Sequence, residues 1–444
     1  MAKQKTLIIG LGITGLSCVR YLASRDELAV LDTRAEPPGL EEFRREFPDV
    51  TLHLGASDID NAAAFDRVVV SPGISLDHPL LDALPDSVPL VSDIDLFCEA
   101  ADAPIVGVTG TNGKSTVTSL VGHLLSGAGI RAVVGGNLGD AALNLLDRRA
   151  EVYVLELSSF QLERMAVHHF QAATVLNVTE DHLDRHGSMP AYVAAKRRIY
   201  RDCGLAVAHR GEAATYPETD CPLTTFGDDA PEDGHWGIQV RDGQRWLTRG
   251  DTPVVATALL PLAGVHNEQN TLAAMALASS FEVPLEVLAE AVQSFSGLPH
   301  RCQRVAEVGG VTYINDSKAT NVGATEAALV GLGSTLPSGR ARIVLIAGGD
   351  GKGADFRALA GVVGRFVKAL VLLGRDAPAL QAALGEQTRT YRVADMDEAV
   401  TLAADIAGPG DLVLLSPACA SLDMYRNFAA RGDHFARAVE ALAA

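Results

Sequence analysis

Between residues 106 and 125 the chain reads VGVTGTNGKSTVTSLVGHLL: an apolar strand, a glycine-rich turn and the start of a helix. Gly110, Thr111, Asn112 and Gly113 make the turn, and Lys114, Ser115 and Thr116 open the helix. Backbone N–H groups in such a turn attract phosphate, a lysine there reaches the β- and γ-phosphates, and a hydroxyl at the helix start is a usual Mg²⁺ ligand. The common spacing places a glycine six positions before the lysine; here that position is Val108, between Gly107 and Gly110, so the loop is a variant. Alone, it allows an ATPase, a kinase or a ligase.

Other residues extend this chemistry. Glu156 ends the apolar run VYVLE, and a carboxylate at a strand end facing a phosphate loop suits Mg²⁺ held together with nucleotide phosphates. The segment EDHLDRHG carries His182 and His186, four apart, but it lacks the internal glutamate of a zinc helix and ends in glycine. His182 is therefore expected as a second magnesium ligand, with His186 left open between a role and a plain loop residue. Lys196 follows two alanines in a short helix, where propensity alone favours a surface lysine.

Before the phosphate loop, TLIIGLGITGLSCVRYLA has Gly10, Gly12 and Gly15 in dinucleotide-fold spacing, and the next strand ends in Asp32. Residues 1–92 are too few for two complete mononucleotide halves, so a small unit gripping a nucleotide diphosphate fits better than a full NAD domain. Asp32 reads as a ribose ligand, or as an acid capping the next helix. The strand DRVVV ends in the turn Ser71–Ile74. After residue 298, the strand VTYI runs into NDSKATN, and a later strand ends in GGDGK. Lys318, Thr320, Lys352 and Ser421 then form a cationic and hydroxyl set suited to a small carboxylate.

The elements that must position these residues alternate strand and helix, predicting an α/β protein of three domains. These are an N-terminal Rossmann-like domain (1–92), a central mononucleotide-binding domain of the P-loop type (93–297) and a C-terminal Rossmann-like domain (298–444). Residues 205–258 read as an antiparallel excursion of short strands. A chain of 444 residues is too long for one core. A formal charge of -18 argues against nucleic-acid binding. Six scattered cysteines suggest a reducing compartment. MAKQKTLIIG enters a strand directly and no apolar run approaches a membrane span, so a cytoplasmic protein without membrane insertion is expected. Three small-molecule sites suit a ligase best, since it must bring together ATP, a carboxylate to activate and an amine to attack it.

With those residues in view, a resemblance becomes specific. GTNGKST, LELSSFQLE, EDHLDRH, LAGVHNEQN, LPHR, NDSKATN, GGDGKGADF and SPACASLD together resemble the Mur ligase family, in matching order across essentially the whole chain. The last three motifs are most similar to the branch that adds D-glutamate to UDP-N-acetylmuramoyl-L-alanine through an acyl phosphate, in peptidoglycan precursor synthesis. The resemblance implies that Lys114 contacts the ATP phosphates, that Ser115 and Glu156 hold one Mg²⁺ and His182 a second, and that Lys196 is carbamylated. Asn137 and Ser159 would lie near the muramoyl-alanine end, and Asn267, Asn270, Arg301 and Asp316 on the ATP side, with Arg301 also at a hinge. The uridine diphosphate would sit by Gly12, Ile13, Thr14, Asp32, Thr33, Arg34 and Gly73. D-Glutamate would be held by Thr320, Lys352, Ser421, Leu422 and Phe428, supported by Lys318. A monomer is expected. The alternatives are a related ligase with another acceptor, such as L-glutamate or diaminopimelate, or a nucleotide-binding protein without ligase activity.

Overall fold

The computed structural model describes residues 3–59, 61–262, 264–334, 336 and 342–442. Its strands form four sheets. The first holds β1 (Lys5–Ile9), β2 (Glu27–Asp32), β3 (Thr51–Leu54), β4 (Arg67–Val70) and β5 (Leu90–Val91) in the order β3-β2-β1-β4-β5. Every pairing in it is parallel. The order reverses at β1, which lies between β2 and β4, and such a switch point opens a crevice at the carboxyl ends of the strands.

The second sheet holds β6 (Ile105–Thr109), β7 (Ala132–Gly136), β8 (Val152–Glu156), β9 (Ala172–Val175), β10 (Ala206–His209) and β11 (Leu223–Phe226). Its order is β11-β10-β9-β6-β8-β7, again all parallel. Every residue of β6, β8 and β9 is buried, as expected of strands covered on both faces, and this explains their unbroken apolar runs. The antiparallel reading of residues 205–258 is corrected in its first part. β10 and β11 extend the central parallel sheet, because their short buried runs AVAH and LTTF carry no local sign of strand direction. Only the later strands, β12 (Trp236–Arg241), β13 (Gln244–Arg249) and β14 (Thr252–Ala256), make a separate three-stranded sheet.

The last sheet comprises β15 (Gln303–Val308), β16 (Val311–Asn315), β17 (Ile343–Gly348), β18 (Val367–Leu373), β19 (Arg389–Arg392) and β20 (Leu412–Leu415), ordered β15-β16-β20-β17-β18-β19. β15 and β16 form the antiparallel hairpin expected from the sequence, and the other pairs are parallel. β20 inserts between β16 and β17, so the loops leaving these three strands are neighbours at one edge.

By contacts the chain divides into two compact units. One is Met1–Gly237 with Arg249–Thr252 and Leu272–Ala291; the other is Ile238–Thr248 with Pro253–Thr271 and Val292–Ala444. Among the described residues, no helix is long and apolar enough to cross a membrane.

Candidate active site

In the first unit, the phosphate loop is shaped by two glycines and held by one asparagine. Gly110 (φ +150°) and Gly113 (φ +82°) adopt backbone conformations that side chains resist. The neighbouring Gly107 serves packing instead: a Cβ there would lie 2.9 Å from both Phe170 and Ile199. Asn177, just past β9, accepts from Asn112 N through Oδ1 (2.8 Å), donates to Asn112 O (3.1 Å) and accepts from Thr111 N on its own carbonyl (2.9 Å). Thr111 Oγ1 donates to Thr179 O (3.1 Å) and lies 3.2 Å from the Tyr192 hydroxyl. Lys114 Nζ donates to Gly110 O (2.9 Å) and Thr111 O (2.8 Å), which sets the ammonium over the loop. Ser115 and Thr116 are buried in the first turn of the helix Lys114–Gly127.

Glu156 ends β8 with 3% of its surface exposed. It accepts from the Ser115 hydroxyl on one oxygen and from Asn137 Nδ2 (2.6 Å) on the other. Asn137 can reach it because Gly136 (φ +99°) approaches the Glu156 backbone, where a Cβ would lie 2.6 Å from the carbonyl. Among the described residues, no three or more His, Cys, Asp or Glu converge as a ready-made cage. A buried carboxylate beside a hydroxyl fits Mg²⁺, which takes few protein oxygens and fills its octahedron with phosphates and water.

Lys196 overturns the surface reading: it is 1% exposed. It donates to Gly110 O (2.8 Å) and lies over the Tyr192 ring at 4.5 Å. Burial, with the Lys114 charge adding to it, drives its pKa well below the ordinary lysine value, while Asp181 and Glu156 oppose the shift. Its amine is therefore pushed toward the neutral form. His182, the non-glycine residue at φ +54°, caps the single turn Leu183–His186 and stacks edge-on with Phe160 at 4.8 Å. His186 is no idle loop residue. Its Nε2 lies 3.0 Å from Ser159 Oγ, and burial lowers its pKa.

A cleft of about 760 Å³ joins these groups to the crevice of the first sheet. Gly12, Ile13, Thr14, Thr33, Arg34 and Gly73 line one part of it, and Lys114, Asn137, Ser159, His182 and Lys196 another. Asp32 is not in the lining. It is 1% exposed, and its carboxylate accepts from Leu11 N (2.7 Å), Arg34 N (2.8 Å) and the Arg34 guanidinium (2.8 and 2.9 Å). Asp32 does not cap the next helix, whose N-cap is Gly39 with no side-chain bond; it ties the glycine loop through Leu11 N and holds Arg34, which lines the cleft. Sequence reasoning missed Phe160, Tyr192, Arg164 and Arg185, whose part here rests on ring contacts and on backbone carbonyls brought near only by the fold.

In the second unit, Asn267 and Asn270 lie in the opening turns of the helix Val265–Ala278, and Asn270 Nδ2 donates to Asn267 Oδ1 (3.3 Å). His266 on that helix approaches Cys302 Sγ at 4.0 Å, and Cys302 N donates to Asp316 Oδ1 (3.2 Å). Asp316 is pushed up to about 7 by burial, opposed by the Ser416 hydroxyl and by the nearby Arg301 charge. The four residues expected on the ATP side thus belong to one neighbourhood.

The carboxyl-edge loops after β16, β17 and β20 meet on a residue the sequence did not flag. Arg431, 2% exposed, donates to Ser317 O (2.8 Å) and Cys419 O (3.1 Å) in the loops after β16 and β20, and to Gly348 O (3.3 Å) where β17 enters its loop. Around it, Lys318 Nζ lies 4.2 Å over the Phe428 ring, Ser421 is buried and Leu422 is 70% exposed. Lys352 adopts φ +51° in the β17 loop, and Thr320 N donates to Lys318 O (2.8 Å).

Comparison with known proteins covers nearly all of this chain. Residues 4–91 match the Mur ligase MurD-like N-terminal domain, 108–278 the Mur ligase middle domain and 300–419 the Mur ligase glutamate ligase domain. The UDP-N-acetylmuramoylalanine--D-glutamate ligase of Pseudomonas aeruginosa is 48% identical over 98% of both chains. The protein of that name from Legionella pneumophila strain Paris is 45% identical over 98% of this chain and 99% of its own. Among solved structures, the UDP-N-acetylmuramate-alanine ligase MurC of Thermotoga maritima superposes with a TM-score of 0.62 at 18% identity, over 98% of this chain and 99% of that one. The MurF ligase of the same organism, solved with ADP, reaches 0.62 at 15% identity, over 93% and 95%. On these matches, the chain belongs to the Mur ligase family.

Proposed function

We infer that this protein is an ATP-dependent amide ligase that joins D-glutamate to UDP-N-acetylmuramoyl-L-alanine, giving ADP and phosphate. The observation that carries the reading is the single cleft running from the glycine loop of the first sheet to Lys114, Asn137 and Lys196. The identity of 45–48% to D-glutamate ligases over nearly the full chain supports the choice of acceptor. Residues 1–92 would take the UDP end, 93–297 the ATP, and 298–444 the amino acid.

In the proposed sequence, a carboxylate oxygen of the muramoyl-alanine attacks the γ-phosphorus and ADP leaves. The amine of D-glutamate then attacks the acyl carbon, phosphate leaves and the nitrogen loses a proton. Lys114 would follow the phosphates, and Asn137, Ser159 and His182 would orient the carboxylate. Ser115 and Glu156 would hold one Mg²⁺, and His182 with Lys196 as its carbamate a second; when bound, the ions offset phosphate charge. Burial of Lys196 supports the carbamate, because a neutral amine is the form that adds CO2, releasing one proton. In the other unit, Asn267, Asn270, Arg301 and Asp316 would serve the nucleotide, and Lys318, Thr320, Lys352, Ser421, Leu422 and Phe428 the acceptor. A cytoplasmic monomer completes the proposal.

The test is phosphate release with UDP-N-acetylmuramoyl-L-alanine, ATP, Mg²⁺ and D-glutamate, omitting each in turn. Release should require all four, and Lys114→Ala should reduce it at least about 1,000-fold, in line with the loss of a group that stabilises transition-state charge. Turnover with L-glutamate but not D-glutamate would overturn the acceptor assignment.

A further inference from the structure

Two arginines with mostly buried side chains occupy a place that no step above uses. Arg164 follows the helical turn Ser159–Leu162 and is 5% exposed. Its Nη1 donates to Val70 O and Ser71 O, both at 3.3 Å, and its Nη2 donates to Ile74 O. Arg185 sits in the turn Leu183–His186. Its Nη2 donates to Pro72 O (3.4 Å), Ile74 O (2.9 Å) and Glu163, and its guanidinium lies 4.8 Å over the Phe160 ring.

Every acceptor except Glu163 belongs to residues 70–74, the turn that leaves β4 and forms one wall of the cleft. The arginines themselves stand on the turns that carry Ser159, Phe160 and His182, which form another wall. A connecting turn at the edge of a sheet is ordinarily among the more mobile parts of a fold. Here its carbonyls are taken by two planar, multiply donating groups that share the Glu163 carboxylate, Arg185 being stacked on Phe160 as well.

We propose that Arg164 and Arg185 are positioning residues that lock the wall holding the nucleotide end of the UDP-bearing substrate to the wall that aligns its carboxylate. The proposal rests on the ligase reading of the cleft. Binding of the remote UDP end is thereby converted into alignment at the reacting end, the general route by which non-reacting parts of a substrate raise kcat.

The experiment compares wild type with Arg185→Gln, Arg185→Lys and Arg164→Lys by calorimetric binding of UDP-N-acetylmuramoyl-L-alanine, by kinetics with each substrate varied, and by thermal melting. Arg185→Gln should weaken binding of the UDP substrate about 10-fold and lower kcat about 10-fold. KM for ATP and D-glutamate should stay within about twofold. The lysine variants keep the charge but lose the fork, and should fall between.

Comparing the full substrate with N-acetylmuramoyl-L-alanine supplies a readout that plain loosening would not move. Removing UDP should depress kcat strongly in wild type and weakly in Arg185→Gln. Unchanged binding and kcat, or equal rises in KM for all three substrates alongside a lowered Tm, would overturn the clamp. A wild type that binds the UDP substrate without turnover would overturn the ligase reading while binding still reports on the clamp. A wild type that does not bind it overturns both.

Discussion

Lys196 shows how much one side chain can change meaning between sequence and fold. Two alanines and two arginines around it read as an ordinary helix surface, yet it is buried against Tyr192 and the Gly110 carbonyl. A lysine in that position must be neutral, paired or modified, because an isolated buried ammonium is too costly. If it carries a carbamate, then Lys196→Arg, which cannot add CO2, should lose at least about 100-fold in kcat, the scale of an essential group in charge stabilisation. Wild type assayed in CO2-depleted buffer should lose activity and regain it with bicarbonate. Activity indifferent to bicarbonate, with no carboxylated lysine by ¹³C NMR, would remove the carbamate from the scheme.

At the scale of elements, the phosphate loop depends on a residue outside its own motif. Asn177 closes three hydrogen bonds onto Thr111 and Asn112, so the end of β9 fixes the shape of the loop between β6 and its helix. Asn177→Ala removes the two side-chain bonds, each worth about 1 kcal/mol net. It should therefore raise KM for ATP roughly 10- to 30-fold, with KM for the UDP substrate nearly unchanged; kinetics with each substrate varied separates the two.

The loops themselves were legible in the sequence, since glycines at strand ends and unbroken Val/Ile/Leu runs mark parallel strands and their carboxyl ends. What holds the loops was not. Arg164, Arg185 and Arg431 look like surface charge until the chain is folded, because their partners are backbone carbonyls, which sequence does not distinguish. Asp32 carries a task that its spacing from the glycines does not announce: its oxygens tie Leu11 N and hold Arg34.

For the molecule as a whole, buried acids tie stability to pH. Asp93, 2% exposed, is pushed up to about 6, mainly by burial, with the Gln161 amide opposing. Between about pH 4 and pH 6 the folded chain holds this proton while the unfolded chain has released it. Stability therefore falls as pH rises through that window, and the full cost is present above it. Asp93→Asn keeps the shape and removes the charge. It should raise stability at pH 7.5 by about 1–3 kcal/mol, and the gain should shrink on acidification and vanish only below about pH 4. Denaturant unfolding of both proteins across that range checks the sign; a gain that grows on acidification would contradict it.

Arg431 has a consequence for how acceptor choice could change over generations, or be changed by hand. Three loops that would read the incoming amino acid share one buried cation, so none can be replaced as an independent part. A graft of a single loop from a relative with another acceptor inherits the wrong carbonyl placement for that arginine. It leaves part of the guanidinium unsatisfied, and a lone buried charge is among the most destabilising defects a fold can carry. New specificity at this edge would have to travel as a cassette: the three loops together with the C-terminal helix that carries Arg431.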